Sequence, residues 1–360
     1  MEFGLSEEQE LLQKSVGGFL EKHGGLDRAR QFADNDESRA DDLWAGLCEL
    51  GVPALLIDEE HGGLGMSLLD AALVAEAMGY YVATAPFVST VIMAPLAISL
   101  AGSDAQKSHW LPKLADGSVI AGAALTETIS TRLDAGVAAS GSTLNGKSLF
   151  VLDFEADVYL VADTERNLHL VDANASGLER IRLTTIDKTR HVGELIFKDV
   201  AAEPLESAGD VDVVARIIDA GRIILAADNL GAAQNMLTQA VAYSKIREQF
   251  GRVIGSFQAV KHMCAEMAAN LEPCRAMMWY AAYAFDNLPD ESPLLACHTK
   301  AHLAEVGKSI GKTSTEVHGG VGFTDELGLH YWFKRIGFNR QILGGPEMVR
   351  EEAAKLQQLV

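Results

Sequence analysis

The segment YSKIREQFGRVIGSFQ (residues 243–258) joins two long stretches with helical periodicity and carries the most informative side chains of the sequence. Arg247 lies at the end of the first stretch, Gly251 interrupts the pattern, and Gln258 lies at the start of the second. A guanidinium at such a junction can bind phosphate through two parallel hydrogen bonds, and Phe250 offers a flat surface to a purine or pyrimidine ring. The same residues also fit a solvated helix end, so their chemistry alone leaves both interpretations open.

Outward from this segment, the hydrophobic pattern divides the chain into three parts. Residues 5–117 have helical periodicity, and Ser6 and Ser67 open two of the helices. Between Ser118 and Glu206 the apolar runs are short and bounded by turn residues, which predicts an all-β insert, a small barrel or sandwich. Helical periodicity returns near residue 210 and continues to the C-terminus. We therefore predict an N-terminal α-helical domain (1–117), a middle β domain (118–208) and a C-terminal α-helical domain (209–360).

The charge of the chain limits the partners that it can bind. The sequence has 50 acidic and 30 basic residues, a formal net charge of −20. This charge opposes binding to a phosphate backbone or an anionic membrane, so we expect no nucleic-acid partner. The uncharged stretch 82–103 is long enough to cross a bilayer, but Pro86 and Pro95 interrupt it, so we interpret it as a buried helix.

The cysteines and the N-terminus indicate the compartment. Four cysteines lie in apolar, helix-like surroundings without metal-binding or paired spacing, which favours reduced thiols. The first residues have neither the basic region nor the apolar region of a secretory signal. We expect a soluble, cytoplasmic protein.

The segment at 243–258 matches the pattern R-x-Q-F-G-x-x-I-x-x-F-Q, and in this it resembles the acyl-CoA dehydrogenases. In that family the arginine and the phenylalanine reach the FAD of a neighbouring subunit. The resemblance therefore implies FAD as cofactor, and it implies FAD contacts for Arg247, Gln249, Phe250 and Gln258.

Further blocks extend the resemblance over essentially the whole chain. Residues 316–324, EVHGGVGFT, resemble the family's glycine turn, in which bare backbone approaches the flavin's diphosphate, so Gly319, Gly320 and Gly322 inherit cofactor roles. Thr126 lies in a segment similar to one whose threonine faces the flavin. The implied fold is α+β: an N-terminal helical domain, a middle β-barrel and a C-terminal four-helix bundle.

Some positions depart from the family pattern. The proline and the G-S-D that usually follow the Thr126 segment are absent, and Glu316 replaces a glutamine. Phe150 and Leu152 stand where the family usually has tryptophan and threonine against the flavin.

Both usual positions of the catalytic base also lack an acid. Removal of a proton next to a thioester carbonyl needs a carboxylate in a dry site. In one branch of the family this glutamate lies in the segment that reads RQILGG here, with Leu343 at its position. In the other branch it lies on the helix that ends at Arg247, where this chain has Gly221.

One acidic residue on that helix remains as a candidate. Asp228 falls on an apolar stripe at helical spacing, so it points inward, and it is either paired in the core or functional. Arg222 flanks the stripe and matches an arginine that the family keeps near the flavin. These two residues are the candidate catalytic residues, and the structural interpretation of Asp228 is the favoured one.

Other chemistries find no support in the sequence. His298 and His302 have metal-ligand spacing without a third ligand, so no metal site is predicted. Hydrolase, NTPase and nicotinamide motifs are absent from the sequence.

The sequence most resembles the small subunits of acyl-CoA dehydrogenases encoded by two genes, such as those for pimeloyl-CoA or steroid side-chain CoA esters. It implies an FAD-dependent enzyme that desaturates an acyl-CoA between Cα and Cβ as one subunit of a hetero-oligomer, with electron-transfer flavoprotein as acceptor. Two alternatives stay open. One is a non-catalytic subunit that braces an active partner, and the other is an active homotetramer that uses Asp228 as base.

Overall fold

The computed structural model describes residues 4–130, 132–206 and 212–360. The chain forms two compact units, one of residues 4–35, 72–83 and 222–360, the other of residues 36–71 and 84–221. The boundary predicted at 208–209 lies outside the described residues, and the three-domain division stays a prediction.

The N-terminal third is helical, as the pattern predicts. Ser6 caps the first helix in a capping box with Gln9, and Ser103 caps a later helix in the same way with Gln106. Within the uncharged stretch 82–103, residues 88–101 form mostly buried helix, beginning with a π-helical segment at Val88–Met93. The helices are α1 (Glu7–His23), α2 (Gly25–Asp34), α3 (Asp41–Glu49), α4 (Leu68–Tyr80), α5 (Ala94–Ala101) and α6 (Asp104–Ala115).

The middle of the chain forms one mixed sheet with the strand order β6-β7-β3-β1-β4-β5-β8, and β2 pairs with β3. Only the pairing of β1 with β4 in this order is parallel. The fold class predicted from the sequence is confirmed. The strands are β1 (Ala121–Ala124), β2 (Gly136–Ser140), β3 (Thr143–Leu152), β4 (Val158–Ala162), β5 (Leu168–Asp172), β6 (Leu178–Leu183), β7 (Val192–Ala201) and β8 (Glu203–Pro204).

The C-terminal part is again helical and contains one short hairpin. The break that the sequence marks at Gly251, and two further breaks at 288–291 and 319–329, separate the α-helices. The elements are α7 (Val213–Ile246), β9 (Glu248–Gln249), β10 (Arg252–Val253), α8 (Gln258–Asn287), α9 (Ser292–His318), α10 (His330–Gln341) and α11 (Pro346–Leu356).

Two glycines set a close crossing of α4 and α7. A Cβ at Gly79 would lie 1.9 Å from the carbonyl oxygen of Asp228, and a Cβ at Gly231 would lie 1.8 Å from that of Glu76. Only glycine allows the two backbones to approach this closely. Arg275 on α8 pairs with the Glu76 side chain beside this crossing. Within the described residues, no helix is both long and apolar enough to cross a membrane.

Candidate functional site

The hairpin between α7 and α8 presents the residues singled out by the sequence. Gln249 pairs with Arg252, and the turn residues Phe250 and Gly251 both have positive φ, at 54° and 75°. Two-residue hairpins favour this geometry, although it is uncommon for a side chain as large as phenylalanine. Phe250 is 92% exposed, and its ring lies edge-on to Phe257 at 6.1 Å between centroids. The aromatic side chain is therefore displayed at the tip of the turn.

A cleft of about 720 Å³ opens between the end of α7, this hairpin and the end of α9. Its volume lies in the range of small-molecule sites. The cleft brings together two segments that are about 70 residues apart in the chain. Its walls are formed by Tyr243, Ile246, Arg247, Gln249, Ile254, Val317, His318, Gly319, Gly320 and Val321.

The glycine turn after α9 leaves one wall of the cleft open. Gly319 has φ of 64°, and a Cβ built at Gly319 or Gly320 would meet nothing within 4 Å. Gly322 differs, because a Cβ there would lie 2.8 Å from the carbonyl oxygen of Thr315. Gly322 is thus required by the local fold, whereas Gly319 and Gly320 leave backbone accessible to a ligand.

The charge of the cleft favours an anion. The Arg247 side chain is exposed and has no hydrogen-bond or ion-pair partner among the described residues. None of the residues that line the cleft is acidic. Glu316 is exposed on the last turn of α9 but does not line the cleft. An uncompensated guanidinium beside accessible backbone suits a phosphate group.

These residues fit FAD. A cofactor with a diphosphate needs a cation, backbone that it can approach and a space of small-molecule size, and the cleft has all three. Four of the predicted cofactor residues meet here: Arg247, Gln249, Gly319 and Gly320.

The other predicted cofactor residues lie outside the cleft. Gln258 begins α8, where its side chain bonds to His262 at 3.0 Å. Thr126 belongs to the sheet-containing unit, where its hydroxyl donates to the carbonyl oxygen of Phe150 at 3.4 Å. Phe150 has φ of 51°, and the guanidinium of Arg132 lies 4.3 Å from the centroid of its ring.

Asp228 lies in the core of the first unit, bound by two side chains of α10. Nε and Nη2 of Arg335 donate to the Asp228 carboxylate at 2.9 and 2.6 Å, and the Asn339 amide donates at 2.6 Å. The Asp228 side chain is 3% exposed and the Arg335 side chain 1%. The remaining Nη1 of Arg335 donates to the carbonyl oxygen of Ala83 at 2.8 Å. This arrangement ties α7 to α10.

Arg222 is hydrogen-bonded to the RQILGG segment, residues 340–345. The resemblance places the catalytic glutamate of one branch of the family in this segment. Nε of Arg222 donates to the Leu343 carbonyl oxygen at 2.9 Å, and its two terminal nitrogens bind the Glu352 carboxylate at 2.9 and 2.7 Å. Leu343 is buried with φ of 56°, and a Cβ at Gly344 would lie 2.9 Å from Val349. Arg222 therefore fixes a tight turn that has no acidic side chain.

His318 was not selected from the sequence as a site residue, yet it lines the cleft. Its ring packs against that of Tyr243 with 4.8 Å between centroids, and its Nδ1 lies 2.7 Å from the Ser314 carbonyl oxygen. Burial holds the pKa of His318 below its usual value. The only signal in the sequence was its position directly before the two glycines.

Among the described residues there is no cluster of three potential metal ligands.

Comparison with known proteins gives the same assignment over most of the chain. Residues 6–118 match the N-terminal domain of acyl-CoA dehydrogenases, and residues 211–356 match their C-terminal domain. Acyl-CoA dehydrogenase IpdE2 of Mycolicibacterium smegmatis is 30% identical, over 98% of this chain and 99% of its own. A solved variant of the Tcur3481-Tcur3483 steroid ACAD is 28% identical over 98% of each chain, with a TM-score of 0.88. The ChsE4-ChsE5 complex from Mycobacterium tuberculosis, 24% identical over 100% of both chains with a TM-score of 0.90, shows the same fold. The chain therefore belongs to the acyl-CoA dehydrogenase family, whose members are FAD-dependent oxidoreductases that act on CH–CH groups.

Proposed function

We propose that this chain is one subunit of a hetero-oligomeric acyl-CoA dehydrogenase, that it contributes FAD contacts, and that a second subunit supplies the catalytic base. The observation that carries the proposal is the contrast between two regions of the same unit. The cleft displays Arg247 without a partner, whereas the carboxylate of Asp228 is already bound by Arg335 and Asn339.

In this proposal the cleft residues hold the cofactor. Arg247 neutralises the diphosphate, the exposed backbone at Gly319 and Gly320 leaves room for it to approach, and Phe250 provides an aromatic surface at the rim. When bound, FAD supplies the hydride acceptor for the Cα–Cβ desaturation of an acyl-CoA thioester. The exposed Phe250 suits a cofactor that is shared with a neighbouring subunit.

The base must be a carboxylate that can reach a substrate and accept its proton. Asp228 is a poor candidate, because a two-point ion pair with Arg335 and a further bond from Asn339 stabilise its charged form. The turn at 342–345 has no acid, and Arg222 holds its backbone in place. Both observations support a base from another chain.

The similarity to the Tcur3481-Tcur3483 steroid ACAD supports a steroid-type acyl-CoA as substrate, and that to the ChsE4-ChsE5 complex suggests a fold compatible with a paired subunit. Electron-transfer flavoprotein is the proposed electron acceptor. The four free cysteines support a reducing compartment, and we propose the cytoplasm.

One observation favours the alternative of a bracing subunit without its own flavin. Phe150 stands where the family usually has tryptophan against the flavin, and the Arg132 guanidinium already covers its ring. A homotetramer that uses Asp228 as base requires the ion pair with Arg335 to open.

The test compares the purified chain alone with the chain co-expressed with a family member that contains a catalytic glutamate. The visible spectrum reports bound flavin, and an artificial electron acceptor reports turnover of an acyl-CoA. We expect flavin in the co-purified assembly and turnover about 10²–10⁴-fold above that of the single chain. Robust turnover by the single chain would overturn the need for a partner's base. An assembly whose flavin content does not respond to changes in this chain's cleft would support the bracing role.

A further inference from the structure

The imidazole of His318 has one nitrogen that the fold uses and one that it does not. Nδ1 lies 2.7 Å from the carbonyl oxygen of Ser314. A carbonyl oxygen only accepts hydrogen bonds, so Nδ1 carries the proton. In the neutral ring, Nε2 is then an acceptor, and it has no hydrogen-bond partner among the described residues.

The position and orientation of this ring are fixed from two sides. Tyr243 packs against one face with 4.8 Å between centroids and 33° between planes, and the Ser314 bond fixes the rotation of the ring. His318 is 4% exposed, and burial keeps its pKa below the usual value, which favours the neutral form near pH 7. A fixed, neutral imidazole in a binding cleft presents an acceptor of defined direction.

The cleft also contains a charged group of the opposite character. The guanidinium of Arg247 is a hydrogen-bond donor, which suits the phosphate oxygens, and the exposed backbone at Gly320 lines the same cleft. A phosphate oxygen does not suit a lone pair on Nε2. Next to the diphosphate, the groups of a flavin dinucleotide that can donate to Nε2 are the sugar hydroxyls, on the ribose side or the ribityl side.

We propose that His318 is a cofactor-binding residue whose Nε2 accepts a hydrogen bond from a sugar hydroxyl of FAD in the cleft. This inference rests on the proposed function, because it assumes that the cleft holds FAD. It gives the cleft two kinds of recognition: the Arg247 guanidinium for the diphosphate and a fixed acceptor for the adjoining sugar.

The test measures FAD affinity of the full-length protein, in the assembly in which it purifies, after removal of bound flavin. His318→Phe keeps a ring that can stack on Tyr243 and removes the acceptor, and we expect its FAD dissociation constant to rise about tenfold. His318→Gln keeps an acceptor near the Nε2 position, and we expect a change of less than about threefold. Competition by ADP and by FMN then identifies the sugar. Only the binding of ADP weakens in His318→Phe if the hydroxyl is on the ribose, and only that of FMN if it is on the ribityl chain.

Two controls separate the outcomes. Thermal melting shows whether each variant folds, and His318→Leu, which also lacks a polar side-chain atom, replaces His318→Phe if the latter does not fold. Arg247→Ala reports on the cleft itself. If Arg247→Ala loses FAD while His318→Phe binds it like the wild type, the proposal that His318 contacts FAD is wrong, and the proposal that the cleft binds FAD is supported. If neither variant changes FAD affinity, the placement of FAD in this cleft is wrong.

Discussion

Asp228 and Arg335 form a two-point ion pair between α7 and α10, with Nε to Oδ1 at 2.9 Å and Nη2 to Oδ2 at 2.6 Å. The two side chains are almost fully buried. A pair of this kind contributes little when compared with a well-packed apolar pair, but removal of one charge leaves the other unpaired in the core.

The first prediction follows from this pair. Asp228→Asn should lower the free energy of unfolding by about 3–5 kcal/mol, because the Arg335 charge loses its counter-charge. Urea unfolding measures the change. Asp290→Asn, at an exposed loop position, serves as control and should change it by less than about 0.5 kcal/mol. Unchanged stability together with lost turnover would instead make Asp228 a base.

A second prediction compares two adjacent glutamates on α11. Glu352→Gln weakens the pair with the buried Arg222 and should destabilise the protein by about 1–3 kcal/mol, a range reduced because the Glu352 side chain is 44% exposed. Glu351→Gln breaks an exposed, solvent-screened pair with Lys355 and should leave the stability nearly unchanged. Urea unfolding measures both changes. Equal losses of unfolding free energy in the two variants would show that the contact between Glu352 and Arg222 does not stabilise the protein more than an exposed ion pair does.

The third prediction concerns the crossing of α4 and α7. Gly231→Ala forces a Cβ to within 1.8 Å of the Glu76 carbonyl oxygen, so the helices must separate, at a cost of at least about 1–3 kcal/mol. Gly18→Ala on α1 meets nothing within 4 Å and should stabilise the protein by about 0.5–1 kcal/mol. Melting temperatures that move in opposite directions confirm the prediction, and a stable Gly231→Ala protein would contradict the close crossing.

A fourth prediction is a pH dependence caused by Lys300. Burial, with the nearby charges of Arg222 and Arg340, lowers the pKa of Lys300 from 10.5 to about 7. Between pH 7 and 10.5 the unfolded state therefore binds more protons at this residue than the folded state, and its contribution to stability rises with pH. Below pH 7 the full penalty of the buried charge is present.

Lys300→Met removes this titration and keeps most of the side-chain volume. The difference in unfolding free energy, variant minus wild type, should therefore fall as the pH rises from 7 to 9, as measured by urea unfolding. A difference that is independent of pH would mean that Lys300 keeps an ordinary pKa.

The last prediction concerns Arg247. If it neutralises a flavin diphosphate at a subunit contact, Arg247→Ala should lose bound FAD and weaken the oligomer together. Arg247→Lys should rescue little, because an ammonium cannot reproduce the planar fork. Absorbance at flavin wavelengths and sedimentation measure the two effects, and Lys245→Ala, an exposed neighbour outside the cleft, is the matched control. If Arg247→Ala keeps the flavin content and the oligomeric state of the wild type, Arg247 does not bind the diphosphate at a subunit contact.

The sequence predicted the elements because their signals are local. Ser6 and Ser67 were predicted to open helices, and each caps its helix through the residue three positions on, Gln9 and Asp70. The change from helical spacing to short apolar runs between 118 and 206 located the sheet, whose strands β1 to β8 lie within that range. The pattern also placed Asp228 on the inward face of α7, where it is buried.

Local signals do not predict which side chains pair across the folded chain. Asp228 and Arg335 are 107 residues apart, and Arg222 and Glu352 are 130 apart, so no spacing rule connects them. The cleft was missed for the same reason, since its two walls meet only through the packing of α7 and α9. His318 has no distinguishing pattern of its own, and its role depends on the Ser314 and Tyr243 contacts.

Phe250 is 92% exposed at the tip of its hairpin, and Arg247 has no partner, so neither side chain holds the fold together. A single codon change at either position can abolish their use without unfolding the chain. Selection on cofactor binding can therefore act on this hairpin separately from selection on the fold of the single chain. Changes at the hairpin are in this sense neutral for folding and selective for function.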